Sequence, residues 1–490
     1  MKKQSLWLDG IESSICSSLK EDIDVDILII GGGITGISTA YHLRNSNLRI
    51  CLVEQDLIGH GVTSKTTGKL TYLQELVYSD LVSKHSKDVA QKYYESQKEA
   101  INLVKQIVLD NNIKCDYQKV DSYIFTDKLS DIEKIKKEKK LLTEFGVEVK
   151  EFNELPIGIK SYCAIKVEDT AVFHPLKYLN MLKEIIINNN VNVYERTKIK
   201  ELKKELDGYT CFTKSHIIKA KKVVLACHYP FFLFPFFFPL KGYLERSYVS
   251  ASKVEENKNI SIINTNKETK SVRYHVSEND NYFIYLTGSH NLDTKYDVNK
   301  NFNNLLKDLE KLNLKPKYIW SNFDIITNDS LPYIGYIDDN LIIGTGYNTW
   351  GMTNGSLAGK IISDLILEKQ NRYISLFDPK RCKGIQNIFS ILNNMYSSAK
   401  PFIENKIIKN KSFYSENVKF EKRNGVSVGI YIDNKGKEHI VYNKCPHLKC
   451  SLIFNEVEKT WDCPCHGSRF DIDGNSIQGP SSYDISYKEK

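Results

Sequence analysis

A glycine-rich turn near the start of the chain constrains its fold more than any other feature. Residues 25–30 (VDILII) predict a buried strand, residues 35–44 (TGISTAYHLR) a helix, and residues 49–54 (RICLVE) a second strand. The sequence GGGITG joins the first strand to the helix. A strand, glycine-rich turn, helix and strand within about thirty residues are typical of a dinucleotide-binding α/β unit.

Three glycines of this turn, Gly31, Gly33 and Gly36, have the G-x-G-x-x-G spacing. The first permits a tight turn, the second lets the backbone approach a pyrophosphate, and the third lets helix and strand pack closely. The helix N-terminus then faces the phosphates. Glu54 ends the second strand, where a carboxylate accepts ribose hydroxyls and repels a 2′-phosphate. FAD or NAD therefore fits and NADP does not, with an ordinary βα turn as the alternative.

Two later segments favour a flavin over a nicotinamide. Residues 58–71 (IGHGVTSKTTGKLT) and 344–355 (GTGYNTWGMTNG) are rich in small residues, and the second opens a predicted helix at 356–369. Small residues let backbone amides approach a flat ring system, and a helix N-terminus stabilises negative charge on a reduced flavin. His60 leaves open whether FAD is attached covalently.

The motifs GGGITGISTAY, SKTTGKLT, LACHYPF and PYIG…GTGYNTWGMTNG resemble the family of FAD-dependent amine and amino-acid oxidoreductases, which includes glycine oxidase and D-amino-acid dehydrogenase. The resemblance covers about residues 20–375. It implies a Rossmann-like α/β FAD-binding domain with an α+β substrate domain built on an antiparallel sheet. It also implies that these residues surround FAD, with Ile199 near the adenine: Gly31, Gly33, Gly36, Glu54, Thr67, Lys69, Ile199, Gly344, Gly346, Trp350, Gly351 and Met352.

The tail of the chain carries a second group of chemistry-bearing residues. Cys445 and His447 are followed, after a short spacer, by Cys463 and His466. Two loops that each offer one thiolate and one imidazole suit a [2Fe–2S] centre with two cysteines on one iron and two histidines on the other. Structural zinc uses the same ligand types, but its usual C-x₂₋₄-C pairs do not describe this spacing. A β-domain that has lost its cluster is the remaining alternative.

The sequence C-P-H-L-x-C…C-P-C-H-G-S-R-F closely resembles Rieske domains over about residues 412–485. The resemblance implies a C-terminal all-β domain and a proline loop at Gly479-Pro480 over the cluster. It further implies a disulfide between Cys450 and Cys465, which a reducing cytoplasm disfavours, so a pair of reduced thiols is the alternative. Ser468 can donate to a cluster sulfur, whereas Phe470 stands where high-potential members carry Tyr. We therefore expect an intermediate reduction potential.

The remaining segments complete the predicted domain organisation. Residues 80–150 are rich in helix formers and predict a helical insertion, whereas residues 191–227 and 243–290 predict strands. The predicted units are an N-terminal extension (1–24), an oxidoreductase (25–375), a connector (376–411) and a Rieske domain (412–490). Within the oxidoreductase, we assign about 25–75, 150–230 and 325–375 to FAD binding, and about 76–149 and 231–324 to the substrate part.

Substrate residues are the least constrained by the sequence. Arg246 and Arg273 are candidates for holding a substrate carboxylate, because a guanidinium binds it through two hydrogen bonds. A structural role is the more common one for a single arginine. Trp350, Tyr243 and His290 are further candidates for the lining of the substrate site.

Composition excludes some partners. The net charge of +8 comes from lysines spread along the chain, and runs such as 131–140 mix both signs, which does not suit nucleic-acid binding. No segment is long and apolar enough to predict a transmembrane helix, and the start of the chain has no signal-peptide centre, so we expect a cytoplasmic protein. The apolar run at 230–240 predicts a buried turn, with a membrane-facing or quinone-contacting loop as the alternative.

Together the two halves predict a relay from a small amine or amino-acid-like substrate to FAD, to the [2Fe–2S] cluster, and to an external acceptor, either a protein or a quinone. Two alternatives remain: an electron-transfer component without a small substrate, and a redox sensor without enzymatic activity.

Overall fold

The structure is a computed structural model that describes residues 1–231, 241–266, 268–278, 280–292, 297–381 and 416–488. Most of the apolar run at 230–240 and most of the predicted connector lie outside the described residues. No helix in the described ranges has both the length and the apolar character that crossing a membrane requires.

The helices of the described residues lie in the first 377 positions, with short 3-10 helices at Leu6–Leu8, Val62–Lys65 and Leu129–Asp131. The α-helices are α1 (Ile34–Leu43), α2 (Val77–Lys84), α3 (Lys87–Asp110), α4 (Ile132–Glu144), α5 (Pro175–Asn188), α6 (Val298–Lys311), α7 (Gly351–Ile366) and α8 (Ile374–Phe377).

Strands form four sheets. They are β1 (Ile23–Ile30), β2 (Ile50–Val53), β3 (Lys69–Leu70), β4 (Gln118–Thr126), β5 (Lys150–Phe152), β6 (Cys163–Val172), β7 (Asn192–Tyr194), β8 (Glu201–Glu205), β9 (Gly208–Phe212), β10 (Ile217–Leu225), β11 (Gly242–Val254), β12 (Ile260–Asn264), β13 (Lys270–Val276), β14 (Asn281–Asn291), β15 (Pro316–Thr327), β16 (Tyr333–Asp338), β17 (Leu341–Thr345), β18 (Val418–Arg423), β19 (Val426–Ile432), β20 (Glu438–Tyr442), β21 (Ile453–Asn455), β22 (Thr460–Asp462), β23 (Arg469–Phe470) and β24 (Ser476–Gln478).

The first sheet is the predicted Rossmann-like layer. Its order is β16-β17-β10-β1-β2-β7, and the neighbours from β17 to β7 are all parallel. The second half of the central strand β1, residues 27–30, is wholly apolar and buried, as expected for a parallel strand covered on both faces. Helices α1 and α7 pack against each other on this sheet, and a Cβ at Gly359 would overlap Ser38. Their close contact brings both helix N-termini to the same edge of the sheet.

The second sheet has the order β15-β11-β14-β13-β12-β4-β6-β3 and is antiparallel except for the β12–β4 pair. It is the predicted substrate sheet. Residues 80–150 are not wholly helical, because β4 joins this sheet between α3 and α4. Strand β6 also lies in this sheet, whereas the sequence predicts residues 150–230 to belong to the FAD part. The sequence did not indicate β4, because lysine- and glutamate-rich helices flank this strand and its partner strands are distant in the sequence.

The C-terminal domain, residues 416–488, is all β, as predicted. Strands β18-β19-β20 form one antiparallel sheet and β21-β22-β23-β24 form another. Trp461 fills the space between them and is fully buried, and a Cβ at Gly429 would collide with its ring. Phe454 and Phe420 pack their rings against Trp461. This small core supports the loops that carry the cysteines and histidines.

The N-terminal extension is tied to the substrate sheet. Trp7 is fully buried, and its indole Nε1 donates to the carbonyl of Thr66 across 2.6 Å. Lys2 pairs with Tyr318 of β15 through an isolated bridge. The first residues therefore pack beside the segment that precedes β3.

Candidate functional site: a nucleotide cleft beside paired cysteine and histidine loops

A cleft with many lining residues opens at the carboxyl edge of the Rossmann-like sheet. We call it the large cleft. The predicted cofactor residues that line it are Gly31, Gly33, Glu54, Ile199, Gly344, Gly351 and Met352. The sequence therefore found residues from four separate segments that the fold brings together. Ligands of open α/β sheets bind at this edge of the sheet.

The glycine turn has the geometry that a pyrophosphate requires. Gly31 has φ +112°, and a Cβ there would lie 2.5 Å from the carbonyl oxygen of Ala226. A Cβ at Gly36 would overlap the carbonyl of Gly31, so this glycine permits α1 to approach the turn without lining the cleft. The Thr63 hydroxyl accepts a hydrogen bond from the Ile34 amide across 3.1 Å and orders the first turn of α1. Sequence reasoning did not single out Thr63, although this residue lies within the segment 58–71 that favoured a flavin.

Glu54 directly follows β2 and lies beside the glycine turn. Its Oε2 accepts from the Gly32 amide across 2.7 Å, and its Oε1 accepts from the Asp56 amide across 2.9 Å. Burial raises the pKa of this carboxyl, and the two backbone amides oppose that rise. Each carboxylate oxygen retains a lone pair for a ribose hydroxyl. The backbone thus fixes the side chain at the mouth of the glycine turn.

A small cavity adjoins the large cleft and shares part of its wall. Thr67, Lys69 and Trp350, three of the predicted cofactor residues, line this small cavity instead of the large cleft. Met352 lines both spaces, at the N-terminus of α7. Gly346 lies outside both linings, with φ +74° and its Cα facing Thr327.

Lys69 is buried, and its Nζ donates to the Ile262 carbonyl across 2.9 Å and to Ser271 Oγ across 2.6 Å. Burial, reinforced by the positive charge of Arg273, lowers the pKa of Lys69 to about 7.

The prediction that Arg246 or Arg273 holds a substrate carboxylate is contradicted by the contacts of both side chains. Arg246 is buried and donates to Asp462 Oδ2 across 2.9 Å and to Glu458 Oε2 across 3.0 Å, both in the C-terminal domain. Arg273 is fully buried and donates to the carbonyls of Gly68, Phe173 and Tyr274. Neither guanidinium lines the small cavity. The first joins two domains, and the second ties three backbone segments together.

Tyr243, His290 and His60 also lie outside the linings of both spaces. His290 Nε2 faces the Tyr248 hydroxyl at 3.1 Å, on the substrate sheet. Burial raises the pKa of Tyr243 to about 12. Of the five predicted substrate-site residues, Trp350 is the one that lines the small cavity.

The two C-terminal loops bring their four predicted ligands together. The thiols of Cys445 and Cys463 lie within hydrogen-bond reach of each other, and the rings of His447 and His466 are 5.0 Å apart. Burial lowers the pKa of His447 to about 4 and that of His466 to about 3, so both rings are neutral. His447 Nε2 and His466 Nδ1 are buried without a hydrogen-bond partner among the described residues. Neutral imidazoles with a free nitrogen, beside two thiols, are the donor set of a Rieske cluster.

Cys450 and Cys465 form a disulfide that joins the two loops, the pairing that the resemblance implied. The sulfur atoms of Cys450, Cys463 and Cys465 lie within 4.8 Å of one another. Two of these sulfurs belong to the disulfide, so Cys463 is the member of that group that remains to bind iron. Gly479 packs on the second loop, because a Cβ there would lie 2.6 Å from the Gly467 carbonyl oxygen.

The second cysteine and histidine loop packs against the wall of the large cleft. The His466 ring lies 6.2 Å from the ring of Tyr229, and Tyr229 lines the cleft. Residues 477–479 with Ser481 and Ser482 form part of the cleft wall. Lys65 donates to Gln478 across 2.7 Å at the same boundary. Sequence reasoning predicted both sites but not their adjacency, because the contacts join residues more than 200 positions apart.

Comparison with known proteins agrees with this geometry. Residues 26–365 match the model of the family described as FAD dependent oxidoreductase, and residues 404–486 match the Rieske [2Fe-2S] domain. A protein of Bacillus subtilis (strain 168), YhfW, named as a Rieske 2Fe-2S iron-sulfur protein, is 31% identical over 98% of this chain and 96% of its own length. Gamma-glutamylputrescine oxidoreductase of Escherichia coli (strain K12) is 23% identical over 73% of this chain and 87% of its own length.

Among solved structures, glycine oxidase from Geobacillus kaustophilus superposes with a TM-score of 0.63 at 15% identity, covering 74% of this chain and 100% of that chain. This likeness shows the fold of the N-terminal part. The predictions of an FAD-binding fold, a C-terminal Rieske domain and both cofactors are confirmed.

Proposed function

Because the chain belongs to the FAD dependent oxidoreductase family and carries a Rieske [2Fe-2S] domain, we propose that it is a dehydrogenase of a small amine or amino-acid-like substrate that delivers electrons through its Rieske domain to an external acceptor. When bound, FAD takes two electrons from an organic substrate as a hydride, and the cluster takes one electron at a time. The observation that carries the proposal is the contact of His466 with Tyr229, at the wall of the large cleft.

The chain's own residues set the distance between the two sites. Gly467, next to the cluster ligand His466, packs against Leu244 and Phe323 of the substrate sheet. A Cβ at Gly467 would approach the Leu244 side chain to 2.9 Å. This contact seats the cluster loop on the oxidoreductase domain. One of the two histidines thus lies at the inner boundary of the Rieske domain, as direct transfer from the flavin requires.

A buried charge network fixes the same boundary. Arg246 bonds to Glu458 and Asp462, and Arg469 bonds to the same two carboxylates, with Nη2 2.9 Å from Glu458 and Nε 3.1 Å from Asp462. Two guanidinium groups and two carboxylates balance in charge, and their side chains are at most 10% exposed. Specific geometry of this kind favours one relative placement of the two domains over others.

The small cavity beside the large cleft and the similar proteins support the proposal that the substrate is an amine or amino-acid-like molecule. The named activity of the Escherichia coli relative is that of a gamma-glutamylputrescine oxidoreductase, and the structural neighbours include amino-acid oxidases. The acceptor is a protein or a quinone that approaches the Rieske domain from outside. His447, the half-buried second histidine, is our candidate for that approach.

The test is substrate-dependent reduction of the cluster in the full-length holoprotein. Anaerobic mixing with candidate amines and amino acids, followed by freeze-quench EPR and flavin absorbance, is expected to show flavin bleaching and then a Rieske signal. The Cys463→Ser variant is the matched control, because it removes an iron ligand far from the glycine turn and is expected to bleach its flavin without that signal. Bleaching in the unaltered protein without subsequent cluster reduction would refute the relay.

A further inference from the structure

The small cavity lies between the N-terminus of α7 and the substrate sheet, and three of its lining residues are acidic. Glu245 is on β11, Asp324 is on β15, and Glu75 precedes α2. Asp324 also lines the large cleft, so this carboxylate stands where the two spaces meet. An amine held there would lie beside the flavin site.

The pairing of β11 with β15 places two acidic side chains opposite each other, which costs free energy of folding. Glu245 and Asp324 are direct cross-strand neighbours in the β11–β15 register. Like charges opposite each other on one face of a sheet are destabilising. Burial, with the nearby Glu245 charge, raises the pKa of Asp324 to about 7 and that of Glu75 to about 7. Because the fold gains no stability from placing Glu245 opposite Asp324, we expect the two carboxylates to bind a ligand of opposite charge.

The two lysines that line the cavity donate hydrogen bonds to neutral protein groups. Lys69 donates to the Ile262 carbonyl and to Ser271, and Lys65 donates to Gln478 of the Rieske domain. No arginine is among the described residues of the lining. The alternation of side chains along β11 explains this, because Glu245 faces the cavity and the next residue, Arg246, faces the Rieske domain. The cavity therefore lacks the guanidinium that would bind a carboxylate.

An independent observation points to a hydrogen-bond donor in the ligand. Asn322 is only 4% exposed and lines both the small cavity and the large cleft. Its Nδ2 donates to Asp324 Oδ2 across 3.1 Å, which fixes the amide orientation. Its Oδ1 has no hydrogen-bond partner in the structure. A buried acceptor without a partner costs about 1–3 kcal/mol, and an ammonium group supplies the missing donor.

From the opposed carboxylates, the unpartnered Asn322 oxygen and the missing arginine, we infer that the small cavity binds the ammonium group of an alkyl amine that has no α-carboxylate. Glu245 and Asp324 are its ion-pairing residues, and Asn322 is its hydrogen-bond acceptor. An α-amino acid would bring its own carboxylate against Glu75, Glu245 and Asp324 in a desolvated space, where like charges repel strongly. This inference rests on the proposed function, since it names the substrate class for the same site.

The experiment compares two ligands that differ by one carboxylate. n-Butylamine is norvaline without its carboxylate, so the pair isolates the group in question. Both ligands, with both enantiomers of norvaline, are titrated calorimetrically into anaerobic, fully reduced holoprotein, in which no turnover occurs. We expect butylamine to bind on the order of 30-fold more tightly than norvaline. Equal or tighter binding of norvaline, or no binding of butylamine, would overturn the inference.

Two isosteric variants locate the binding site. Glu245→Gln and Asp324→Asn keep the side-chain volume and remove the charge, and each is expected to weaken butylamine binding by on the order of 30-fold. Glu256→Gln removes an exposed carboxylate outside the cavity lining and is the matched control. Unchanged butylamine affinity in both cavity variants would also overturn the inference. FAD content and the cluster EPR signal of each variant report folding.

This design distinguishes a failure of the proposed amine binding from a failure of the proposed electron transfer. Selective amine binding with no cluster reduction on oxidation of an amine would refute the relay and leave the inference standing. Cluster reduction by an α-amino acid, together with tight norvaline binding, would support the relay and refute the inference about the substrate class.

Discussion

Arg246 of the substrate sheet donates to Asp462 of the Rieske domain across 2.9 Å, in a site where both side chains are almost fully buried. Glu458 and Arg469 complete the network. Burial of four charges costs solvation free energy, which their mutual attraction offsets only while all four are present. The network therefore depends on every member, and its removal provides a way to separate the two redox sites.

We expect Arg246→Met to lower the free energy of unfolding by about 3–5 kcal/mol, because it leaves Asp462 and Glu458 with an excess of buried negative charge. The same change should slow reduction of the cluster relative to reduction of the flavin. Urea unfolding followed by flavin fluorescence and freeze-quench EPR measure the two effects. Arg372→Met is the control, since the Arg372 side chain is 63% exposed and its ion pairs with Glu95 and Glu99 are solvated. Equal losses of stability in Arg246→Met and Arg372→Met would contradict the idea that burial makes the Arg246 ion pairs important.

The sequence predicted those parts of the site that are local in the chain. Cys445 with His447, and Cys463 with His466, lie a few residues apart, so their spacing identifies the chemistry before folding. The role of Arg246 was mispredicted because strand alternation decides which domain its side chain faces, and the sequence does not show the face. The Glu245–Asp324 pair was missed for a similar reason, since it depends on the register between β11 and β15. Contacts between distant strands follow from tertiary packing, which local patterns do not encode.

The cluster potential should respond to hydroxyl donors. Ser468 lies within hydrogen-bond reach of the Cys445 sulfur, whereas the buried Phe470 offers no donor. A hydrogen bond of about 1 kcal/mol to the reduced cluster corresponds to about 40 mV for one electron. We expect Ser468→Ala to lower the midpoint potential by about that amount and Phe470→Tyr to raise it, as measured by EPR-monitored redox titration. A rise with Ser468→Ala would contradict the donor role.

Amine binding should strengthen as pH rises through 7. Burial raises the pKa of Asp324 and of Glu75 to about 7, well above the usual range of a carboxyl, so both are mainly neutral at pH 6 and charged at pH 8. Glu245 reinforces the shift, and burial lowers the pKa of Lys69 and of Lys65 to about 7, so these cations lose charge over the same range. An alkyl ammonium stays protonated across it.

We therefore expect butylamine affinity to increase about tenfold per titrating carboxylate between pH 6 and 8. Calorimetric titration at several pH values measures this profile. Asp324→Asn should flatten it by removing one of the titrating groups. A profile that is flat in the unaltered protein, or that falls with pH, would contradict the assignment.

The packing of the predicted proline loop at Gly479-Pro480 depends on one glycine. Gly479 has φ +93°, and a Cβ there would lie 2.6 Å from the Gly467 oxygen and 2.6 Å from the Ser468 Cα, on the loop that carries His466. Both atoms are backbone and cannot move aside without displacing the ligand loop. Gly425, in the β18–β19 turn, has a similar φ of +79° but no atom within 4 Å of its Cβ position. Substitutions at these two glycines therefore allow the effect of backbone strain to be separated from the effect of steric crowding.

We expect Gly425→Ala to cost about 1–2 kcal/mol, the strain of a left-handed alanine, and to leave the iron content unchanged. Gly479→Ala adds an overlap that typically costs a further 1–3 kcal/mol. Because that overlap displaces the loop of His466, it should also lower the iron content and the intensity of the Rieske EPR signal per chain. Iron analysis and urea unfolding of both variants measure the difference. Full iron occupancy in Gly479→Ala would show that the loop tolerates displacement, and the close packing on Gly467 would then not be what keeps the cluster bound.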